Sequence, residues 1–435
     1  MTDGTDSKVD DASREASVPP WNRARDGRLL LLLLVLILGV YLTTATYSVY
    51  QVNDTKVTAV SAWSLGTQGT LALPGEWHDD LRWTYGGRDG RLYSNRFPGA
   101  IFWGSGFYAA NEVVLPRGEV SHPDLVNFGP AGVAAATAAA MAAGLSFVLF
   151  RRLAGRRLAL AATVVFAFGT GTWSVSADAL WTHGPGQLAL VLGMIGMSAA
   201  HHSRAGLAFG ASVLCRPHLA VVPAAAGIWA GVRHRSLRPV LTIGVLSGLG
   251  LLAMSIYSQA LFGTWLPITA GRGYAVESVV STGAETFGTR ALHMMVNPAR
   301  GLLVYTPLLL VLLPGIIRGW RVAPPWVRSA AVGGLLYLLV QLRANTWHGG
   351  ADYFGNRLAL ETLTLTAPLL LVTYQRFTAT SRFLRGVVLA VAGASVVLHG
   401  LGATVLTTGL YGDDDPEAWE RHVEELCEEY PEDCP

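Results

Sequence analysis

Long apolar runs alternate with short polar segments along most of the chain. The first run extends from Leu29 to Val49, and similar runs recur as far as residue 408. Several of them reach the roughly 20 residues that a helix needs to cross a bilayer. Because a spanning segment must satisfy its backbone polar groups internally, such runs predict helices. The pattern therefore predicts an all-α polytopic membrane protein.

Arginine clusters lie in every second segment between these runs, and such clusters mark cytoplasmic loops. They predict about 11 transmembrane or re-entrant helices, with the N-terminus inside and the C-terminus outside. Residues 205–231 are expected to form two short helices divided at Arg216-Pro217, because proline breaks a helix and restricts the residue before it. The other predicted spans lie near 29–49, 130–150, 158–176, 186–200, 239–261, 301–317, 328–343, 358–374 and 386–408.

Three regions differ in composition. Residues 1–28 are polar, which predicts a disordered cytoplasmic N-terminus, and the first run lacks a cleavage site typical of a signal peptide. Residues 29–408 are expected to form the transmembrane domain, including a large first outer loop at 50–129. Residues 409–435 form an acidic tail, expected outside the cell, in which Cys427 and Cys434 either form a small disulfide loop or stay free.

The composition narrows the classes of function. The chain is 51% hydrophobic and only 14% charged, with a net charge of +2, and no nucleic-acid partner is expected. No zinc-ligand spacing, P-loop, GxSxG or HExxH motif occurs in a suitable context. We therefore assign no metal ligands and no cofactor, although the carboxylates of the large outer loop leave room for a divalent cation.

Candidate chemistry gathers on the predicted outer face, because the inner loops are short and merely basic. Asp54 lies just beyond the first span, either as a solvated loop residue or as a general base. Arg357 begins the predicted span 358–374, where a charge is costly and is usually paired, for example with Asp352, or functional. Arg216 lies within the predicted hairpin, where it either faces a cavity or extends to water.

Two further outer segments combine aromatic and polar residues. His183, in the sequence Trp181-Thr182-His183-Gly184-Pro185, is either a base or ligand, or a hydrogen-bonded interface histidine. Trp347 and Asp352 lie in a second segment, which suits either sugar binding or an aromatic belt at the membrane interface.

Four segments carry a recognisable pattern. They are Asn53-Asp54 with Ser64 to Leu71, Asp89 to Gly99, Phe262 to Pro267 with Gly273-Tyr274 and Asn297 to Pro307, and Trp347 to Leu360. Taken in order, they resemble the GT-C superfamily of membrane glycosyltransferases. The nearest likeness is to the bacterial branch related to protein O-mannosyltransferases and the lipid A aminoarabinose transferases, and it covers most of residues 29–375. Two departures are that Thr55 follows Asp54, where the family often has Glu, and that Asn356 precedes Arg357, where the family has Pro.

This resemblance implies a GT-C-like fold and an inverting glycosyltransferase at the outer face of the cell membrane. A sugar would pass from a polyprenyl-phosphate donor to an acceptor hydroxyl on a glycan, lipid or protein. Asp54 matches the family's catalytic acidic residue. The phosphate-binding candidates are Arg357, Arg300, Arg96 and Arg216, and the sugar- or acceptor-binding candidates are Tyr274, His183, Trp347 and Asp352.

The main alternative is a polytopic transporter or flippase for a lipid-linked or small polar substrate. Such proteins also have many spans and buried charges. Transporters, however, often carry helix breaks near the midplane in repeated halves. No internal repeat is evident in this sequence, and its polar residues gather on one predicted face, which favours the enzyme.

Overall fold

A computed structural model describes residues 21–48, 53–116, 120, 122–267, 284–350 and 353–406. The predicted N-terminal region up to residue 20 and the acidic tail at 409–435 lie outside these residues. Tyr274, Asp352, Cys427 and Cys434 also lie outside them.

The described part of the chain is mainly helical, with one small antiparallel sheet in the predicted outer loop. The strands are β1 (Thr84–Gly86) and β2 (Leu92–Ser94), with Tyr85 opposite Tyr93. The helices are α1 (Arg23–Thr44), α2 (Asn53–Trp63), α3 (Pro98–Val114), α4 (Gly129–Arg151), α5 (Arg156–Phe168), α6 (His183–Ser198), α7 (His202–Cys215), α8 (Val221–His234), α9 (Leu237–Phe262), α10 (Ala284–Val296), α11 (Leu302–Tyr305), α12 (Leu308–Leu312), α13 (Ile316–Val322), α14 (Pro325–Ala344), α15 (Leu360–Phe377) and α16 (Arg382–Thr404).

Among the described residues, five helices are long and apolar enough to cross a membrane, namely α1, α4, α9, α14 and α16. They coincide with five of the predicted spans, so the prediction of an all-α membrane protein is confirmed, while the count of about 11 helices stays a prediction. The predicted span 301–317 is wrong as one continuous helix. Thr306 leaves the helical conformation between α11 and α12, because Pro307 restricts the residue before it and has no backbone N–H to donate.

The predicted outer loop 50–129 folds into a compact layer. Helix α2 is buried along most of its length and packs against α3, which begins with Pro98 in the first turn, where proline is well tolerated. The rings of Trp63 and Trp77 stack at 5.8 Å between centroids, inside an apolar cluster that also holds Ile101. A rigid layer of this kind can hold a side chain in one position over the helical bundle.

An ion cluster fastens α1 to the rest of the bundle at the end opposite to this layer. Asp26 is fully buried and accepts hydrogen bonds from Arg156 at 2.6 Å and from Arg151 at 3.3 Å. The backbone N–H of Asn22 also donates to Asp26, at 2.7 Å. The hydroxyl of Tyr41 donates a second buried hydrogen bond, to the Ala167 carbonyl at 2.7 Å, so α1 is tied to the bundle by polar contacts although it exposes much of its apolar surface.

Candidate active site

Asp54 lies in the first turn of α2, where the helix dipole favours a negative charge. Its two carboxylate oxygens contact two different arginines. Oδ1 accepts a hydrogen bond from Nη1 of Arg96 at 2.9 Å, and Oδ2 accepts one from Nη1 of Arg357 at 3.1 Å. The three residues are far apart in sequence, so this contact depends on the tertiary structure.

The two arginines decide the charge state of Asp54. Burial alone would raise the pKa of this carboxyl group, but the charges of Arg96 and Arg357 outweigh it and hold the pKa below its usual value. The side chain of Asp54 keeps 19% of its surface exposed. Asp54 is therefore an ionised, reachable carboxylate whose two oxygens are both engaged.

Aromatic rings support the arginines. The guanidinium of Arg357 lies 4.4 Å from the ring centre of Trp181 and 4.9 Å from that of Tyr353. Arg300 lies 4.0 Å from the Tyr353 ring and also donates to the Tyr353 carbonyl at 2.6 Å. Cation–π contacts of this kind orient a guanidinium while leaving its N–H groups available for an anion.

Tyr353 lies inside a glycine-rich segment, and Arg357 lies just after it. Gly350 and Gly355 have φ angles of 108° and 84°, which residues with side chains rarely adopt. This backbone turns the chain between α14 and α15, so that Tyr353 and Arg357 both face Trp181. The sequence marked this segment as a candidate, but neither Tyr353 nor Trp181 was predicted as a site residue.

A second polar layer lies deeper in the protein. Nδ1 of His183 lies 2.8 Å from Oε1 of Glu361, and Nη1 of Arg216 lies 3.0 Å from Nε2 of His183. Nη2 of Arg216 donates to Oε1 of Gln341 at 3.1 Å. His183, Gln341 and Glu361 are almost fully buried, and Arg216 is 8% exposed.

Three element ends position this layer. His183 begins α6, Glu361 lies in the first turn of α15, and Arg216 stands in the break between α7 and a short 3-10 helix at Pro217–Ala220. The predicted break at Arg216 is confirmed. Arg216 has φ −154° and ψ 109°, the extended conformation expected before a proline.

Sequence reasoning missed Glu361. The residue lies inside an apolar run, in the sequence Leu360-Glu361-Thr362-Leu363, and this run predicts a membrane span. A lone carboxylate within a predicted span is costly and usually functional, which is the argument that selected Arg357. By the same reasoning, Glu361 could have been selected from the sequence as a candidate site residue.

The remaining predicted residues lie beside the site or outside the described residues. Trp347 packs against His293 and His348, with ring centres 5.2 and 5.3 Å apart, and the hydroxyl of Tyr353 donates to the backbone carbonyl of His348. Tyr274 and Asp352 are not described, so a pair between Asp352 and Arg357 stays untested. Within the described part of the chain, no group of three or more His, Cys, Asp or Glu residues could hold a metal ion.

The two layers together form one strongly basic site. The rings of Trp181 and His183 lie 6.3 Å apart, and the charge of Arg216 acts on Asp54. Within this site the arginines outnumber the carboxylates Asp54 and Glu361, so the site suits an anionic ligand. The arginines are Arg96, Arg216, Arg300 and Arg357.

Comparison with known proteins shows only a distant likeness. No protein-family model matches the chain, and no curated protein matches it. Among solved structures, the chain is similar to the crystal structure of the apo oligosaccharyltransferase of Archaeoglobus fulgidus, with a TM-score of 0.42 and 12% sequence identity. The match covers 87% of this chain and 54% of that one, so the chain spans about half the length of that enzyme. The function proposed below therefore rests on the residues of the site.

Proposed function

We infer that this protein is an inverting GT-C-type glycosyltransferase that moves a sugar from a polyprenyl-phosphate donor to an acceptor hydroxyl at the outer face of the cell membrane. One observation carries this inference. A carboxylate in the predicted outer loop, Asp54, is held between Arg96 and Arg357, and it adjoins a buried basic layer. A transfer reaction of this kind needs a base and several cations at one place.

The arginines supply the anion site. Guanidinium groups bind phosphate oxygens with paired hydrogen bonds, which also neutralise the charge that develops on the leaving phosphate. Arg357 and Arg300 stand on the Tyr353 ring, so their positions are set before the donor binds. Trp347, which is partly exposed, offers a ring against which a sugar can stack.

Donor binding would release the base. With both oxygens bonded to arginines and its pKa lowered, Asp54 is a weak acceptor for another proton. A donor phosphate competes for Arg357, and once Arg357 turns to the phosphate, Oδ2 of Asp54 can accept a proton. We therefore expect the donor to bind before the acceptor hydroxyl is activated.

In the transfer step, Asp54 receives the proton and the phosphate receives the electron pair. The acceptor oxygen attacks the anomeric carbon from the side opposite the phosphate and forms the new glycosidic bond. The bond from the anomeric carbon to the phosphate oxygen breaks, and the polyprenyl phosphate leaves with the electron pair. Asp54 takes the proton of the acceptor hydroxyl, and the configuration at the anomeric carbon inverts.

Labelled donors test this function. Membranes that contain the protein are incubated with polyprenyl-phosphate sugars labelled in the sugar, and the product is identified. We expect label in an acceptor with wild-type protein and with Asp80→Asn, a matched control for an exposed carboxylate of the same loop. Asp54→Asn should give no product. Movement of intact labelled lipid across the membrane, without product, would instead support a flippase.

A further inference from the structure

Glu361 is a carboxylate in a site that should bind an anion. It is fully buried in the first turn of α15, next to Arg216 and His183. The chemistry above assigns it no step, and its negative charge opposes phosphate binding. A fully buried charge is costly unless it is paired, so the presence of this carboxylate calls for a physical reason.

Glu361 contacts Arg216 both directly and through His183. Directly, Oε1 lies 3.9 Å from Nη1 of Arg216. Through His183, the same oxygen lies 2.8 Å from Nδ1, and Nη1 of Arg216 lies 3.1 Å from Nδ1 and 3.0 Å from Nε2. A guanidinium can only donate, so a proton on Nδ1 that is donated to Glu361 leaves Nε2 as the nitrogen that accepts from Arg216. Glu361 therefore fixes both the histidine proton and the arginine.

Arg216 is held in place, but its guanidinium does not use all of its hydrogen-bond donors within the described residues. Gln341 takes the Nη2 side of the guanidinium at 3.1 Å, and Gln341 itself accepts a hydrogen bond from Asn345 at 2.8 Å. Nε of Arg216 and Oε2 of Glu361 have no hydrogen-bond partner among the described residues. The guanidinium of Arg357 lies 4.4 Å from the Trp181 ring, and that ring lies 6.3 Å from the ring of His183, so the two layers are adjacent.

We propose that Glu361 is a positioning residue that holds Arg216 toward the donor phosphate and limits the positive potential there, so that the product can leave. This inference rests on the proposed function. The donor is a phosphodiester with one negative charge, whereas the product phosphate is a monoester with a charge of about −1.5 to −2 at neutral pH. A site of arginines alone would bind the product more tightly than the donor. Glu361 reduces this difference.

The test compares binding of polyprenyl monophosphate, the product common to all such donors, with binding of the unphosphorylated polyprenol. Full-length protein in detergent is titrated with each lipid, as wild type, Glu361→Gln and Glu361→Asp. Glu361→Gln should bind polyprenyl monophosphate about fivefold more tightly, the equivalent of roughly 1 kcal/mol. Its turnover should slow, with stronger inhibition by this product. Glu361→Asp keeps the charge and should stay near the wild-type affinity.

The buried carboxylate of Asp26, near the start of α1, provides a matched control for the loss of a buried charge. Asp26→Asn removes a buried counter-charge from Arg151 and Arg156, far from the site. Removing one partner of a buried ion pair destabilises a protein, so both Asp26→Asn and Glu361→Gln should melt at a lower temperature than the wild type. Only Glu361→Gln should change the affinity for polyprenyl monophosphate. A merely structural role for Glu361 predicts that neither variant changes this affinity.

Each outcome decides one of the two proposals. If the wild type binds polyprenol as well as polyprenyl monophosphate, the proposed donor is wrong. If the wild type prefers the phosphate but Glu361→Gln does not bind it more tightly, the role of Glu361 is overturned while the function stands. Should Glu361→Gln fail to fold, the double variant Arg216→Gln/Glu361→Gln removes both charges. It should bind the phosphate more weakly than wild type, and equal binding would overturn the inference.

Discussion

Replacing Asp54 by Asn tests the base and its two arginine contacts in one variant. Asn has nearly the same shape as Asp, but it carries no charge and cannot take the acceptor's proton. Loss of a general base typically lowers the rate by about 10²–10⁴-fold. Turnover should therefore fall by at least about a hundredfold, while the buried apolar cluster around α2 keeps the outer loop folded.

The same variant should bind polyprenyl phosphate more tightly. The carboxylate of Asp54 contacts Arg96 at 2.9 Å and Arg357 at 3.1 Å, and a bound phosphate must displace at least one of these contacts. A hydrogen bond to a charged group contributes about 1.5–3 kcal/mol, and the partial exposure of this site favours the lower value. Since about 1.4 kcal/mol corresponds to a factor of ten, the affinity should rise about tenfold.

Two measurements on purified protein check this reasoning. Turnover is followed with a labelled donor, and affinity is measured by titration with polyprenyl monophosphate. Asp80→Asn, which removes an exposed carboxylate of the same loop, should match the wild type in both. Near-normal turnover in Asp54→Asn would remove Asp54 as the base. Weaker phosphate binding would show that Asp54 does not compete with the phosphate for the arginines.

Three further predictions concern the donor-binding arginine, the pH dependence of stability and the membrane topology. Arg357→Lys should fold normally but bind the donor about tenfold more weakly, because lysine cannot form paired hydrogen bonds to a phosphate, whereas the exposed Arg91→Lys should bind it normally. The folded-state pKa of Asp54 lies below its usual value of 3.8, so the stability from its ion pairs is present above that value and lost as the pH falls through the lowered pKa. The difference in melting temperature between wild type and Asp54→Asn should accordingly stay constant from about pH 8 to pH 5 and shrink only below about pH 4, and shrinkage near neutral pH would contradict the lowered pKa. Finally, in a cysteine-free background, an impermeant thiol reagent added to intact cells should label a cysteine placed at Asp80 but not one placed at Arg235, and the reverse pattern would place Asp54 in the cytoplasm.

The sequence by itself determined the features that depend only on neighbouring residues, namely the long apolar helices and the helix break at a proline. The apolar runs predicted the five long apolar helices, because burying 20 apolar residues in lipid depends on composition alone. Arg216-Pro217 predicted the break between α7 and α8, because the restriction comes from the proline ring. The position of Asp54 beyond the first span, together with the other motifs of the outer loop, marked it as a candidate.

Only the tertiary structure decided which side chains meet. Asp54 contacts Arg96, 42 residues away, and Arg357, 303 residues away, and no local pattern pairs them. The structure also joined Glu361 to Arg216, although a local cost argument could have marked Glu361 as unusual. Hydropathy and proline effects act within a few residues, whereas the partner of a charged group is set by how distant helices pack. For this reason the sequence indicated most of the candidate charged residues, whereas the packing of the helices decided which of these residues contact one another.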